Sequence, residues 1–192
     1  MDDKKKAIFN SAKNLFSKKG FKDTNISDIA KDAGIAVGTY YNYYSSKEEL
    51  FLKIFIDENM KLKKSMFKKI KPDDDPVTVS TRMMTQGINA TNSNRILKEW
   101  YNKELFSKLE RYFYQQNGMQ SIAEFMQNDI AELIKQWKNT GKIRNDIDDG
   151  MILAILSSVV YIDMHKTEIG IQYFPKIVNL LYEFIMKGLT NR

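Results

Sequence analysis

The stretch that decides the fold runs from Asn25 to Lys47, NISDIAKDAGIAVGTYYNYYSSK. Asn25 is placed to cap a helix, with Asp28 three positions on as the acidic partner of a capping box. Ile26, Ile29, Ala30 and Ala33 then share one helical face. Gly34 follows, where a positive φ carries no steric cost, so the chain can turn sharply there with Ile35 plugging the angle. A second short helix is predicted from about Val37 to Tyr44, carrying Thr39, Tyr40, Tyr41 and Tyr43. A small core has little use for that many hydroxyls on so short a helix, whereas a surface that meets phosphates and base edges does.

On the N-terminal side, Ala7, Ile8, Ala12, Leu15 and Phe16 follow helical spacing over residues 4–19, and Gly20-Phe21 reads as the cap that closes that helix. On the C-terminal side, Ser46 ahead of Lys47-Glu48-Glu49 starts a fourth helix, whose Leu50, Phe51, Ile54, Phe55 and Met60 continue an apolar face to about Lys69. Three short helices bury little surface by themselves, so the first half of the fourth is expected to complete their core. Lys71-Pro72-Asp73-Asp74-Asp75-Pro76 breaks the pattern. Beyond it, helices are predicted near 76–91, 94–101, 103–117, 119–139, 149–167 and 173–189, with Pro175 in the first turn of the last. The expected fold is all-α, with about nine helices. Residues 1–48 form a helix-turn-helix head, completed by helix four, and residues 49–192 a larger helical body.

Charge is placed unevenly. Residues 1–71 hold 16 Lys against 9 Asp or Glu, a net of +7, in a chain whose total is +6. The positive excess therefore lies with the turn unit, as expected of a head that binds double-stranded DNA joined to a body with another task. Cysteine is absent, which removes disulfides, thiolate metal sites and cysteine nucleophiles and fits a cytoplasmic location. The start MDDKKKAIF is no signal peptide, and Met151 to Met164 is too short to span a bilayer, so no membrane association is expected. With one histidine, no glycine-rich phosphate cradle after a strand and no HExxH, neither an enzyme nor a cofactor or metal is expected.

The last two helices are apolar on more than one face, which asks for a partner on each. One face can meet the body and the other an identical chain, giving a two-fold four-helix bundle. Ile152, Leu156, Val159 and His165 on the first helix, and Ile177, Leu181, Phe184 and Ile185 on the second, are the candidate dimer contacts. A symmetric dimer in turn requires a pseudo-palindromic, inverted-repeat operator.

The head resembles the TetR family of bacterial one-component transcriptional regulators. The resemblance is carried by Gly20-Phe21, Ile26, Asp28-Ile29-Ala30, Ala33-Gly34-Ile35, Gly38-Thr39, Tyr41, Tyr43 and Ser46-Lys47-Glu48-Glu49-Leu50, over roughly residues 5–55. Asn25 replaces the usual Thr, Tyr44 the usual Phe, and Ala36 a Ser or Thr cap, the last costing roughly 0.5–2 kcal/mol of capping. The resemblance implies that residues 37–43 enter the major groove, with Val37 and Gly38 at its opening. Thr39 and Tyr40 are the candidates for base edges, and Tyr41 and Tyr43 for phosphates. Lys47 is expected to hold a phosphate with the amides that open helix four, and Thr24 and Asn25 to do the same at helix two. No arginine precedes Arg82, so specificity is expected to lean on apolar and hydroxyl contacts and on DNA shape.

The resemblance also implies a small effector in the body, whose binding respaces the two heads. Methionines and broad rings line adaptable apolar cavities well, and Trp100, Phe113, Met126, Trp137 and Tyr161 are the pocket candidates for a largely apolar ligand. Repression released by that ligand is the expected mode. The alternatives are an activator of the same architecture and a helical interaction protein that does not bind DNA.

Overall fold

The structure is a computed structural model and describes residues 3–71, 73–115, 124 and 129–190. Its regular elements are helical: α1 Asp3–Lys19, α2 Ile26–Asp32, α3 Val37–Tyr41, α4 Lys47–Phe67, α5 Pro76–Ser93, α6 Arg95–Lys98, α7 Lys103–Gln115, α8 Ala131–Asn139, α9 Asp149–Met164, α10 Lys166–Ile169 and α11 Lys176–Thr190. Short 3-10 turns at Glu99–Tyr101 and Ile171–Tyr173 complete the set. The expected helix at 94–101 is thus an α-helical turn followed by a 3-10 turn. The expected helix at 149–167 ends at Met164, with His165 as its C-cap, and Pro175 stands just before α11. Of the helix expected at 119–139, only the last part lies within described residues.

The chain forms two compact units, Met1–Leu62 with Ala90–Gln116, and Lys63–Asn89 with Asn117–Arg192. This division differs from the expected one after residue 48, and the side chains of α4 show why. Leu50, Phe51, Leu52 and Ile54 are all fully buried, so the start of α4 is the central rod of the first unit. Around it pack Ile8, Ala12 and Phe16 of α1, then Phe21, Ile29 and Ala30. Phe16, Phe21 and Phe51 form an aromatic triad with ring centroids 5.0–5.8 Å apart, two of its pairs edge-on. The same unit takes in Trp100, which stacks on Phe55 at 4.6 Å, and Phe106 and Phe113 beside it.

The second unit has its own core of Val79, Ile134, Trp137, Ile143, Ile152, Leu156, Met186 and Leu189. Asp148 caps α9 by accepting from the Met151 N–H at 2.9 Å, and Lys138 pairs with Asp149 at 2.6 Å. The Arg144 N–H donates to Leu189 O at 2.8 Å, joining the α8–α9 connection to the end of α11. Lys166 is fully buried here and donates to Asp163 O at 3.1 Å, while burial holds the ammonium of Lys63, near Asp163, below its ordinary pKa. No helix among the described residues is long and apolar enough to cross a membrane.

Candidate nucleic-acid interface

The geometry of the head starts at its two turns. Gly20 takes φ +88° and donates its N–H to Phe16 O at 2.9 Å, closing α1 and folding Phe21 back onto Phe16. Asn25 then caps α2, its Oδ1 accepting from the Asp28 N–H at 2.8 Å and the Ser27 hydroxyl at 2.6 Å. The reciprocal half of the expected capping box is not made by Asp28, whose carboxylate lies 3.7 Å from Lys19. At the far end, Gly34 at φ +68° closes a Schellman motif. The Ile35 N–H donates to Ala30 O at 2.9 Å, and the Gly34 N–H to Lys31 O at 3.2 Å.

After this turn α3 is five residues long, and its N-cap Ala36 is extended and contributes no side-chain bond. So short a helix has no stability of its own. It is held from its other end. Tyr40 is fully buried and donates its hydroxyl to Ser46 O at 2.9 Å. Tyr44, also buried, keeps helical spacing through its N–H to Tyr40 O at 3.1 Å, and the two rings lie 5.9 Å apart. Burial, reinforced by the nearby Glu49 charge, pushes the Tyr40 phenol well above its ordinary pKa.

The opening of α4 is the anchor. Ser46 Oγ accepts from the Glu49 N–H at 3.0 Å, and the Glu49 carboxylate accepts from the Ser45 N–H and hydroxyl, each at 2.8 Å, and from Lys53 at 2.8 Å. Burial works to raise the Glu49 pKa, but the hydrogen bonds from Lys53 and Ser45 outweigh it and hold the carboxyl below its usual range. Lys47 donates to Phe21 O at 2.9 Å and Thr24 O at 2.6 Å, with its ammonium 4.2 Å from the centre of the Phe21 ring.

Three of the expected DNA-contact side chains make hydrogen bonds within the head. Tyr40 faces the core, not a base edge, because its hydroxyl is spent on Ser46 O. Thr24 is fully buried and donates its hydroxyl to Gly20 O at 2.8 Å, so it does not present that group to a phosphate. The Lys47 ammonium, half-exposed, gives two hydrogen bonds to the α1–α2 loop. Asn25 is exposed, but its Oδ1 serves the cap. The outward face of the head is instead Val37 (43% exposed), Gly38, Tyr41 (53% exposed) and Asn42, with Thr39 and Tyr43 half-exposed beside them. Nothing lies within 4 Å of where a Cβ on Gly38 would sit, so this face is open to a close approach. Exposed Lys4, Lys6, Lys18, Lys19, Lys22 and Lys31 supply positive charge from α1, α2 and the loop between them. Sequence reasoning missed Asn42, the exposed C-cap of α3. The inward turn of Tyr40 had a signal: it stands four residues before Tyr44, which replaces a usual Phe.

The candidate effector residues are divided between the two units. Trp100 and Phe113 are buried in the first unit, centroids 5.8 Å apart, and the faces of Trp100 are filled by Phe55 and Phe106. Trp137 belongs to the core of the second unit, where its indole N–H is buried with no hydrogen-bond partner among the described residues. Tyr161 is 51% exposed on α9. Met126 lies outside the described residues.

The candidate dimer contacts divide likewise. Ile152, Leu156 and Val159 are buried inside their own unit, so they are core residues, not available to a partner. Ile177, Leu181 and Ile185 are half-buried, and Phe184 is 60% exposed. His165 is exposed, its Nδ1 2.9 Å from Glu168. Met151, Ala154, Ser158 and Tyr161 of α9 and its C-cap His165 are exposed, a stripe at alternating spacings of three and four, and α11 adds Leu180 and Phe184.

With this geometry in place, comparison with known proteins is direct. The family described as "Bacterial regulatory proteins, tetR family" matches residues 8–54, the span from α1 into α4. The head of the chain, over that span, is therefore of the TetR type. The chain is 25% identical over 180 residues to YfiR of Bacillus subtilis, an uncharacterized HTH-type transcriptional regulator, covering 88% of this chain and 86% of that one. Among solved structures, the fold is similar to Thermus thermophilus FadR, a TetR-family transcriptional repressor in complex with lauroyl-CoA. That match has a TM-score of 0.60 at 20% identity, covering 98% of this chain and 96% of that one. It is also similar to RolR in complex with resorcinol, with a TM-score of 0.59 at 15% identity, covering 97% and 87%.

Proposed function

We propose that the chain is a homodimeric repressor that sets two heads into successive major grooves of an inverted-repeat operator and is released when a small, largely apolar effector binds the helical body. The observation that carries the reading is the split surface of α3. Tyr40 and Tyr44 anchor it inward while Val37, Gly38, Thr39 and Tyr41 stand outward with lysines around them. Asn25, Tyr43 and the α2 terminus flank this face and position the backbone of the duplex. Dimerisation runs through the exposed stripe of α9 and the Leu180–Phe184 face of α11, with His165 at its margin, because an apolar surface of this extent on two terminal helices favours a matching copy.

The effector reading draws support from the lauroyl chain of the acyl-CoA in FadR and the aromatic ring of resorcinol in RolR, the apolar part of each ligand. Release requires the effector to prefer the DNA-incompetent arrangement, since equal affinity for both shifts nothing. The location is the cytoplasm, where DNA is met. Binding-site selection with the purified protein tests the proposal. The expected result is an inverted repeat bound by a dimer, with affinity falling steeply as salt rises. Failure to enrich any sequence overturns it.

A further inference from the structure

We infer that Asn42 reads an adenine in the major groove, so that each half of the operator carries an A·T pair whose recognition is lost with this side chain. The inference rests on the DNA-binding reading above and names part of the sequence that reading requires. Asn42 is the exposed C-cap of α3, still helical at φ −72° and ψ −15°, with its N–H donating to Thr39 O at 3.2 Å. The turn is anchored by Tyr40 and Tyr44, both buried. At about 100° per residue, the direction opposite the midpoint of that pair falls on Asn42, with Gly38 about 40° and Thr39 about 60° to either side. Asn42 is therefore the side chain of α3 aimed most directly away from the core.

Its surroundings leave the amide able to reach a base. Gly38, one turn earlier on the same face, has nothing within 4 Å of where a Cβ would sit, so the duplex can come close beside Asn42. The Asn25 amide oxygen is spent on the α2 cap, whereas the Asn42 amide makes no hydrogen bond among the described residues. Residues 37–44 read VGTYYNYY, and among them only Asn42 carries a donor and an acceptor side by side. A Thr or Tyr hydroxyl can meet either a donor or an acceptor, so it discriminates little. An asparagine amide matches adenine: its oxygen accepts from the N6 amino group and its NH2 donates to N7, a pattern that no other base offers in the major groove. Guanine presents two acceptors there and asks for an arginine or lysine, which α3 lacks. A phosphate, which only accepts, would use half of the amide.

The test uses the full chain and the inverted repeat that it selects from random duplexes. Each half-site should contain an A·T pair whose replacement, in one half-site, weakens binding of the unmodified protein about 5- to 150-fold. In Asn42→Ala the same replacement should change affinity by less than about twofold, and selection with that variant should return the repeat with this position degenerate. Placing 7-deazaadenine there removes the N7 acceptor while keeping the base pair, and should weaken binding of the unmodified protein but not of Asn42→Ala. The first half of that comparison needs no altered protein, so it decides the question even if the variant folds poorly. Loss of affinity in Asn42→Ala that is equal for every sequence, the mark of a phosphate contact, overturns the inference. So does a preference for the pair that persists in Asn42→Ala, a selected repeat without such a pair, or a 7-deazaadenine duplex bound as tightly as the natural one. Failure of the unmodified protein to select any sequence would instead sink the underlying DNA-binding reading before a variant is made, and is distinguishable on that ground.

Discussion

Adjacent tyrosines on α3 should behave oppositely when each loses only its hydroxyl. In Tyr40→Phe the ring stays in the core and the 2.9 Å bond to Ser46 O disappears. Ser46 O still accepts the Leu50 N–H at 3.4 Å, so it is not left wholly unpaired, and the loss should be an ordinary net hydrogen bond of about 0.5–1.5 kcal/mol. For a chain of this size that lowers the melting temperature by about 1–6 °C. In Tyr41→Phe the side chain is 53% exposed, and stability should change by less than about 0.5 kcal/mol. Its cost should appear in DNA affinity, about 2- to 12-fold if one phosphate bond is lost. Thermal melts by circular dichroism and anisotropy titrations with the selected operator separate the two. A second reading comes from alkaline pH. The folded Tyr40 pKa lies above the 10.0 of the unfolded phenol, so its contribution is complete below pH 10 and is lost as pH rises beyond that, when the unfolded chain ionises first. Tyr40→Phe should remove that part of the alkaline destabilisation. The reasoning is refuted if Tyr41→Phe lowers the melting temperature while Tyr40→Phe leaves it unchanged and weakens DNA binding.

Other substitutions follow from the same geometry. Gly38→Ala should stabilise α3 by up to about 1 kcal/mol, since nothing crowds the new Cβ, yet weaken operator binding by intruding where the duplex approaches; melts and titrations should therefore move in opposite directions. Gly34→Ala meets no atom within 4 Å but must hold φ +68°, so it should cost about 1–2 kcal/mol in chemical denaturation, and Gly34→Asn should cost less. Phe184→Glu should yield monomers by light scattering with the fold intact, whereas Ile152→Ala, fully buried, should cost about 2–5 kcal/mol of stability. The Glu49 carboxyl is held below its unfolded value of 4.5, so its contribution is present above pH 4.5 and is lost as pH falls through the lower folded value. Glu49→Gln should flatten that acid limb of the melting profile.

Much of the head was legible because its signals are local. Gly34 and Gly20 close helices three and four residues after the carbonyls they satisfy, and Asn25 caps within its own turn, so residue type at fixed spacing is nearly sufficient. The absent cap at Ala36 was legible for the same reason. Lys47 was not, because its acceptors lie 26 and 23 residues back in the chain, and no pattern around position 47 distinguishes a lysine aimed at solvent from one aimed at a loop. The body shows a different limit. Alternation has a phase only when polar residues mark one side, and Met151 to Val160 are apolar almost all round. The buried set Ile152, Leu156 and Val159 and the exposed set Met151, Ser158 and Tyr161 were therefore equally good stripes by hydrophobicity. Only the small residues Ala154 and Ser158 marked the outer one. Trp100, Phe113 and Trp137 look alike in composition, but their assignment to two separate cores depends on contacts far apart in sequence.

The cluster of tyrosines that drew attention to α3 is best understood as two jobs sharing one short helix. A five-residue helix without a side-chain cap cannot fix its own orientation, so part of its aromatic content must be turned inward to do so, and Tyr40 and Tyr44 are that part. Because they stand four residues apart, they leave the pair Val37 and Tyr41, also four apart, on the neighbouring face, where both are exposed. A reader could be made of almost any side chain that suits the operator, but the anchor must bury a ring and place a hydroxyl on one particular carbonyl, Ser46 O. Substitutions at Val37 and Thr39 should accordingly change which sequence is bound, and those at Tyr41 how tightly it is bound, while leaving the melting temperature nearly fixed, and substitutions at Tyr40, Tyr44 and Glu49 should do the reverse.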